Sequence, residues 1–550
     1  MKRYLTERVG SALKSLNYEP GGNLIFEKPK LEAHGDATTN IAMLLAKSVR
    51  KNPREIAKEI VATLKVDPEL VAGVEIAGPG FINFRFHPAF FTKQVHAILA
   101  KGDRFGRSEI GMGKKTQVEF VSANPTGPLS VGHGRQAAIG DTIANLLEWT
   151  GHNVTREYYY NNAGRQMRLL AESTYARYSQ LFDPTFAFPE DGYQGDYIKH
   201  IAEALRTERG ESLRKAVKEE ALSVCKSFAE DSLFASIKNV LVRMGVKFDV
   251  FYNEDSLYSD GKIKEVIEEF RRKGLAYDKD GAVWLKTTAL GLDQDRVIVK
   301  SAGEPTYRLP DIAYHREKFR RGFELIVDIF GADHISTIQE VLAGIGSLGY
   351  DPSKVKVVIH QFVTLMRDGQ QVKMSKRLAN FVTLDELIDE VGADVARFFF
   401  IMRSTTSHLE FNIDLAKEQS EKNPVYYLQY AHARIASILR FAEGQSVIEK
   451  HMRFQSIQFD LLKEQSEVAL AKLLLEFPEW VESTCLAYEP HRITTYLHDV
   501  ATAFHKFYHE QRVVIPEKKL SEARLALCQA ARIVLANGFK ILGISAPEQM

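Results

Sequence analysis

The chain has 550 residues, of which 45% are hydrophobic and 26% charged, with a formal net charge of +1 at pH 7. This length predicts roughly three or four domains, and no apolar run approaches the roughly 20 residues of a membrane span. The near-neutral net charge argues against nucleic-acid binding through the overall charge of the protein, although local basic patches could still bind nucleic acid.

The N-terminal segment and the cysteines favour a reducing compartment. The first 17 residues form an amphipathic pattern that includes Glu7 and lacks the apolar centre of a signal peptide. Cys225, Cys485 and Cys528 are far apart and form no CxxC pair, so neither a disulfide nor a zinc site is expected. We therefore predict a cytoplasmic protein without a protein-bound metal.

The first 110 residues or so predict a separate α+β unit. Helical patterns cover residues 41–45 and 53–64, and strand-like runs follow at 74–76 and 81–86. A turn rich in glycine and proline at 78–80 separates the two strands.

A strand, a turn and a helix then follow one another. The strand-like run 118–121 meets a cluster of breakers between Asn124 and Pro128, and helical spacing of Ile and Leu begins after Gly132 and ends near Gly151. Such a unit places a helix N-terminus, with unpaired N–H groups and the positive end of its dipole, where a phosphate can bind, and His133 would lie there. The alternative is an ordinary strand-to-helix turn with a surface histidine.

Residues 183–303 predict an insertion that is helical at first and strand-like around 281–287 and 296–300. Basic stretches occur at 271–273 and 316–321. Each is more simply interpreted as a solvated helix face than as a nucleic-acid contact.

A second loop follows the apolar run 357–359, with the sequence Lys373-Met374-Ser375-Lys376-Arg377. Two lysines in a polar loop are usually only solvated. From residue 423 onward, long amphipathic patterns predict a helical bundle. Near its start, tyrosines at 426, 427 and 430 accompany His432 and Arg434, a mixture that can stack on and clamp unpaired bases; the alternative is that the tyrosines belong to the core.

Together the two loops resemble the paired motifs of class I aminoacyl-tRNA synthetases. The first match is Ser130-Val131-Gly132-His133 and the second is residues 373–377, in the family's order and a few hundred residues apart. The flanking VEFVSANPTGPL and GRQAAIGD are similar to the arginyl-tRNA synthetases in particular. So are EYYYNNAGRQM (157–167), TYRLPDIAYHREKF (306–319), FGADH (330–334), NPVYYLQYAHARI (423–435) and LGISAPEQM (542–550), so the resemblance covers nearly the whole chain.

This resemblance implies a multidomain α/β protein with a split Rossmann-type parallel sheet, an N-terminal α+β domain and a C-terminal all-α bundle. The implied divisions are a tRNA-contacting domain at 1–110, a catalytic domain at 111–380 with an insertion around 183–303, a connecting helical segment at 381–422 and an anticodon-binding domain at 423–550. The implied reaction is ATP-dependent ligation of L-arginine to its tRNA through arginyl-adenylate, with Mg²⁺ arriving with ATP and no dedicated metal site. The family also suggests a monomer.

The resemblance assigns roles to residues of this chain. The first-motif region comprises Ala123, Asn124, Pro125, Thr126, Gly127, Pro128, Leu129, Ser130, Val131, Gly132 and His133. ATP is expected to meet Ser130, Gly132, His133, Lys373, Ser375 and Lys376, with Lys376, His133 and Lys373 as catalytic residues. Arginine is expected to meet Glu119, Asn124, Tyr307 and Asp311, and tRNA to meet Tyr426, Tyr430 and Arg434.

The arginine assignment has a physical basis, because a planar guanidinium with five donors needs carboxylates in fixed positions. Asp311 lies four residues after Tyr307 and shares its face if the segment is helical, although Asp311 taken alone could be an N-cap.

One position departs from the family pattern. Ser130 stands where the first motif usually has histidine, and it keeps a hydrogen-bonding group but loses the imidazole. Either serine and a water replace that contact, or the lost interaction slows activation on the order of tenfold to a thousandfold. We favour the milder outcome and expect Ser130→His to leave activity equal or higher. Arg377 replaces the last serine of the second motif at a position that we expect to be tolerant.

Two other interpretations remain open. A class I synthetase for another amino acid would lack the pair of Glu119 and Asp311. A tRNA-binding relative without catalysis would be favoured by Ser130, whereas His133, Lys373 and Lys376 argue against it. The sequence does not determine the accepted anticodons or whether tRNA must bind before arginine is activated.

Overall fold

We describe the protein from a computed structural model. It describes residues 1–550 except residues 20, 21, 23, 30, 333, 334, 373–381 and 446–455. The chain forms two compact units: the first comprises Met1–Gly102, Ile438–Glu476 and Ala503–Ile533, and the second comprises Asp103–Ser437, Phe477–Thr502 and Val534–Met550.

The strands are, in chain order, β1 Ala37–Thr39, β2 Val71–Ala77, β3 Phe81–Phe86, β4 Lys115–Glu119, β5 Asn153–Tyr160, β6 Val250–Asn253, β7 Ala276–Lys279, β8 Ala282–Leu285, β9 Arg296–Val299, β10 Leu325–Gly331, β11 Val355–His360, β12 Val363–Arg367, β13 Gln370–Gln371 and β14 Leu409–Asn412.

The helices are α1 Lys2–Ser15, α2 Ile41–Val49, α3 Pro53–Thr63, α4 Pro88–Lys101, α5 Val131–Trp149, α6 Gly164–Gln180, α7 Asp196–Arg209, α8 Ser212–Lys215, α9 Lys218–Arg243, α10 Asp255–Ser259, α11 Lys262–Arg272, α12 Arg308–Arg320, α13 Ile335–Ser347, α14 Leu384–Val391, α15 Ala393–Ile401, α16 Ile413–Lys417, α17 Pro424–Gly444, α18 Gln465–Leu475, α19 Phe477–Ala487, α20 His491–Glu510 and α21 Lys518–Leu542.

The N-terminal part of the first unit is the predicted α+β module. Its antiparallel sheet has the order β1-β3-β2, and the turn between β2 and β3 uses Gly78 and Gly80 at positive φ. Helix α3 begins where expected, because the Asn52 side chain accepts from the N–H of Arg54 and Pro53 occupies the first turn. Both helices and both strands predicted for residues 41–86 are confirmed.

The second unit contains a parallel sheet with the strand order β11-β10-β4-β5-β6. From β4 the chain proceeds through α5 to β5 on one side, and from β10 it proceeds through α13 to β11 on the other. The order therefore reverses between β4 and β10, where an open α/β sheet binds ligands at the carboxyl ends of its strands. The expected Rossmann-type core is confirmed.

The region predicted as an insertion differs from expectation in one respect. Within residues 183–303, β6 joins the main sheet by pairing in parallel with β5. Only the three-stranded antiparallel sheet β7-β8-β9 matches the strand-like segments predicted there. The four residues of β6 were too few to give a strand signal in the sequence.

The segment 381–422 was predicted as helical, but it also contains β14, which pairs in parallel with β12. Its side chains alternate between buried and exposed, the two-residue period of a strand. Helices α17 to α21 dominate the C-terminal part of the chain, and the two compact units divide them. The predicted boundaries of the four domains stay a prediction.

One helix in the described part of the chain, α21, is long and apolar enough to cross a membrane by length and composition. Burial accounts for its composition, because 72% of its most apolar 18-residue window is buried inside the protein.

Candidate active site

A cavity of about 720 Å³ opens at the switch point between β4 and β10 in the second unit. Its walls come from the end of β4 and the loop after it, the first turn of α5, the start of α12, the end of β10, and residues of α13, β11 and β12. Of the residues predicted for the site, Glu119, Ala123, Asn124, Ser130, Val131, Gly132, His133, Tyr307 and Asp311 line it. Pro125 to Leu129 complete the turn without lining the cavity.

The first motif forms the N-terminus of α5, as predicted. Ser130 is its N-cap residue, and its N–H donates to Nδ1 of His133 at 3.0 Å, with the Ser130 hydroxyl 3.2 Å from the same nitrogen. Because Nδ1 accepts from a backbone N–H, a neutral His133 carries its proton on Nε2. The backbone of residue 130 therefore holds the motif histidine in one tautomer, and the serine hydroxyl adds a second contact that the sequence did not predict.

The glycines of α5 have different reasons to be glycine. A Cβ on Gly134 would lie 2.5 Å from Leu384, and one on Gly140 would lie 2.2 Å from Phe120, so the packing of the protein excludes side chains there. A Cβ on Gly132 would make only an ordinary contact of 3.6 Å with Ser130. No described residue crowds that position, so room for an occupant of the cavity would explain glycine at 132.

The loop after β4 is strained where it meets the cavity. Val121 has φ of +68° and Ser122 has φ of +44°, and both line the cavity. A left-handed conformation is costly for a β-branched valine and persists only where the surroundings fix it. It positions the Ser122 hydroxyl, which donates to Oε1 of Glu119 at 3.0 Å and accepts from the N–H of Tyr159 at 3.2 Å.

Asp311 lies in the first turn of α12, whose N-cap is Tyr307, so the alternative that Asp311 is itself the cap is wrong. Pro310 is tolerated because it also lies in the first turn. Among the described residues, no donor makes a hydrogen bond to the Asp311 carboxylate. Burial raises the pKa of Asp311 to about 7; His315 opposes this shift, while the carboxylates of Glu119 and Glu254 add to it.

Glu119 is already paired within the protein. Its Oε2 accepts from the ammonium of Lys318 at 2.6 Å, and the same ammonium donates to Oδ1 of Asp328 at 2.7 Å. The prediction that residues 316–321 form a solvated basic face is therefore wrong for Lys318 and Arg316, whose side chains are 0% and 3% exposed. Their charges are buried against carboxylates rather than presented to a partner.

The sequence analysis missed Glu254 and Asp328. Glu254 follows β6, and its carboxylate accepts from Tyr159 and from Asn161, each at 2.7 Å. Burial raises the pKa of Glu254 above its ordinary value. Asp328 carried a usable signal, since a carboxylate inside the apolar strand β10 is unusual unless it is paired. Glu254 did not, because its strand was assigned to the insertion.

Asn124 and Tyr307 line the cavity in different states. The side chain of Asn124 accepts from the N–H of Asn161 at 2.9 Å and donates to Gln166 at 3.1 Å, so it also joins two loops. The Tyr307 ring is 84% exposed. Packing of Tyr307 beside a guanidinium stays a prediction that requires an occupant.

Lys373, Ser375, Lys376 and Arg377 of the second motif lie outside the described residues, and so does His334. Both flanks of the motif are held by backbone hydrogen bonds, the preceding one to β12 and the following one to the first motif. The N–H of Val372 donates to the carbonyl of Leu365 at 2.9 Å, and that of Leu384 donates to the carbonyl of Leu129 at 2.8 Å. Thr383 also forms a β-bridge with Ser130.

The three residues predicted to contact tRNA share one face of α17. Tyr426 and Tyr430 stack with 6.1 Å between ring centroids and 8° between ring planes, and both are half-buried. Arg434, one turn further on, is exposed. His432 is buried, and its Nδ1 lies 2.8 Å from the carbonyl oxygen of Pro547, so it does not join that face.

Comparison with known proteins agrees with this architecture. Three family descriptions match in chain order: the arginyl tRNA synthetase N terminal domain at residues 3–86, the catalytic domain of tRNA synthetases class I (R) at 94–401, and the DALR anticodon binding domain at 428–550. An arginine-tRNA ligase of Desulfotalea psychrophila is 53% identical, covering 96% of this chain and 95% of its own.

A second arginine-tRNA ligase, from Salinibacter ruber, is 48% identical with full coverage of both chains. The crystal structure titled Thermus thermophilus arginyl-tRNA synthetase shares the fold with a TM-score of 0.77 over the full length of both chains, at 22% identity. On the identity and coverage of these relatives, the chain belongs to the arginyl-tRNA synthetase family of class I aminoacyl-tRNA synthetases.

Proposed function

We propose that this protein joins L-arginine to its tRNA in two steps at the cavity between β4 and β10. In the first step, the carboxylate of arginine attacks the α-phosphorus of ATP, which forms arginyl-adenylate and releases pyrophosphate. In the second, a terminal ribose hydroxyl of tRNA attacks the arginyl carbonyl, loses its proton and displaces AMP. Catalysis rests on positioning and on charge complementarity, without a covalent enzyme intermediate.

The observation that carries this proposal is the electrostatic division of the cavity. One part of the lining is the N-terminus of α5, with the positive end of a helix dipole, and another part consists of the carboxylates of Glu119, Glu254, Asp311 and Asp328. A cavity with one anion-binding end and one cation-binding end fits the phosphates of ATP together with a substrate that has a guanidinium side chain.

At the anion-binding end, His133 and the first-turn N–H groups of α5 would meet ATP, and Gly132 would leave room for adenosine. Ser130 would act through His133, which it holds by two contacts. The anchored flanks of residues 373–381 support a role for Lys373, Ser375 and Lys376 at the same end, with Lys376 as the cation that stabilises the charge developing on phosphate. Mg²⁺ would arrive with ATP and share that load.

At the cation-binding end, Asp311 would be the principal partner of the guanidinium. Both carboxylate oxygens of Glu119, of Glu254 and of Asp328 accept hydrogen bonds from protein donors. By contrast, none of the described donors bonds to the carboxylate of Asp311. The guanidinium of bound arginine would supply this hydrogen-bond donor, and its positive charge would favour the ionised form of Asp311. Asn124 would hold the amino-acid end of the substrate, and Tyr307 would cover the guanidinium.

For tRNA, the stacked pair of Tyr426 and Tyr430 together with Arg434 would provide an aromatic and basic surface for unpaired bases. We further infer a monomer in the cytoplasm, from the resemblance to the family. Gel filtration with light scattering tests the monomer, and fractionation of cells tests the location.

The test is arginine-dependent exchange of pyrophosphate into ATP, with and without cognate tRNA, with Lys376→Ala as the inactive control. Exchange that requires arginine and is lost in Lys376→Ala supports the adenylation chemistry, and a requirement for tRNA would further match the family. Absence of exchange under all conditions, with tRNA still bound, would instead favour a relative without catalysis. Exchange with another amino acid in preference to arginine would refute the assignment of the cation-binding end.

A further inference from the structure

Three carboxylates form a row across the centre of the parallel sheet. Glu119 of β4 is the register partner of Glu157 on β5 and also of Asp328 on β10. Register partners in a parallel sheet point to the same face, and neighbouring strands are only about 4.8 Å apart. All three residues are buried, so this row concentrates like charges in a region shielded from water.

Helix α12 and its C-cap residue Arg321 carry the cations that neutralise these carboxylates. Lys318 donates to Glu119 and to Asp328, and Arg321 donates to both oxygens of Glu157 at 2.6 and 2.7 Å. Tyr314 adds a donor to Glu157 at 2.5 Å. The spacing of 314, 318 and 321 puts these groups on one side of the helix, the side that also carries Asp311.

Lys318 does not line the cavity itself but binds Glu119, which does. Its side chain is 0% exposed, and it holds one oxygen of Glu119 while the Ser122 hydroxyl holds the other. The position of the Glu119 carboxylate is thus set by the protein before any substrate arrives. The strained conformation of Ser122 contributes to the same end.

The neighbouring carboxylates favour the charged, ammonium form of Lys318. Burial alone would lower the pKa of Lys318, but the carboxylates of Asp328 and Glu119 outweigh burial and raise it. Burial alone would raise the pKa of Asp328, but Lys318 and His315 lower it to about 2. If Lys318 were neutral, adjacent carboxylates on two strands would face each other in a buried site, and one of them would take up a proton.

We propose that Lys318 is a positioning residue for the arginine site, which holds the Glu119 carboxylate in a fixed orientation at the cavity wall without itself touching the substrate. This inference rests on the proposed function. The charged and titratable groups that face Glu119 are Lys318, Asp311 and Tyr314 from α12, Asp328 from β10, and Glu157 and Tyr159 from β5.

The test is calorimetric titration of arginine into the full-length Lys318→Met variant, with saturating tRNA present. Methionine keeps the length of the side chain and removes its charge. We expect arginine affinity at pH 7.5 to fall on the order of a hundredfold, as for a misplaced reactive group, while ATP affinity stays within about twofold.

The matched control is Arg524→Met, which removes a buried cation from Glu467 in the other compact unit. It should lower the melting temperature without changing arginine affinity. If Lys318→Met is too unstable to titrate, the double variant Lys318→Gln/Asp328→Asn replaces the ion pair by two amides that can bond to each other. A purely structural role predicts that arginine affinity recovers with stability in the double variant, whereas the positioning role predicts that it stays weak.

The outcomes separate this inference from the function on which it rests. Failure of the wild type to bind arginine would overturn the proposed function. Tight arginine binding by the wild type and equally tight binding by folded Lys318→Met would overturn the positioning role alone.

Discussion

The variant Asp311→Asn tests two effects of the Asp311 carboxylate. Its charge should strengthen the binding of arginine, and the burial of that charge should lower the stability of the folded protein. The substitution keeps the shape of the side chain and removes the charge. Because none of the described donors bonds to the Asp311 carboxylate, the substitution breaks no side-chain hydrogen bond among the described residues. The expected effects therefore concern the charge alone.

The loss of arginine affinity can be estimated from the geometry. Removing one partner of a buried, hydrogen-bonded charge pair costs about 2–5 kcal/mol. The lower part of that range, about 2–3 kcal/mol, applies here because Glu119 and Glu254 remain in the cavity wall, and it corresponds to roughly 30- to 150-fold weaker binding. Calorimetric titration of arginine into both proteins at pH 8 measures this ratio directly.

Asp311→Asn should weaken arginine binding but should not lower the stability of the folded protein at pH 8. Burial raises the pKa of Asp311 to about 7 in the folded chain, well above its value of 3.8 in the unfolded chain. The folded state therefore binds the proton more tightly, and this group's contribution to stability falls as the pH rises from about 4 to about 7. The melting temperature of Asp311→Asn should equal or exceed that of the wild type at pH 8.

The same pKa predicts how arginine binding depends on pH. Arginine needs ionised Asp311, so affinity should fall below pH 7 and be about tenfold weaker at pH 6 than at pH 8. In Asp311→Asn this dependence should vanish. A variant that is strongly destabilised at pH 8 but binds arginine as tightly as the wild type would falsify the assignment of Asp311.

Three further predictions concern the other parts of the site. Gly132→Ala should leave the melting temperature within about 2 °C of the wild type but raise the KM for ATP in pyrophosphate exchange, whereas Gly134→Ala should mainly lower the melting temperature, because its Cβ would collide with Leu384. For Ser130→His the sequence predicts equal or higher activity, but the contacts between Ser130 and His133 now lead us to expect a loss of about tenfold in exchange; unchanged activity would show that those contacts are dispensable. Arg434→Ala should raise the KM for tRNA in aminoacylation and leave the KM for ATP unchanged; an equal rise in both would argue against a tRNA contact.

The local elements around the first motif follow from the sequence, because their signals are local. Turn residues between Asn124 and Pro128, helical spacing after Gly132 and a left-handed glycine at 151 predict a strand, a turn and a helix, and the structure has β4 and α5 there. The N-terminal α+β module was predictable for the same reason. The resemblance to a family of synthetases added the pairing of the two loops, which no local signal contains.

Other features depended on which strands became neighbours. The four residues of β6 carried too little pattern to be assigned to the main sheet, and Glu254, which follows β6, was missed with it. Residues 316–321 have the composition of a solvated basic face, yet Arg316 and Lys318 are buried. The composition of a segment shows which residues are charged, but it does not show which groups lie next to them in the folded protein.

By itself the sequence determined the two motifs, the helix N-terminus at Ser130, and the residue types that an arginine site requires. The tertiary structure decided which carboxylates share the cavity and which of them are already paired. The register of β5, β4 and β10 aligns Glu157, Glu119 and Asp328, and Lys318 of α12 with the C-cap residue Arg321 neutralises that row. The Asp311 carboxylate is left without a hydrogen-bond donor among the described residues. The physical reason is that ionisation and hydrogen bonding depend on neighbours a few ångströms away, and these neighbours come from segments up to about 200 residues apart in the chain.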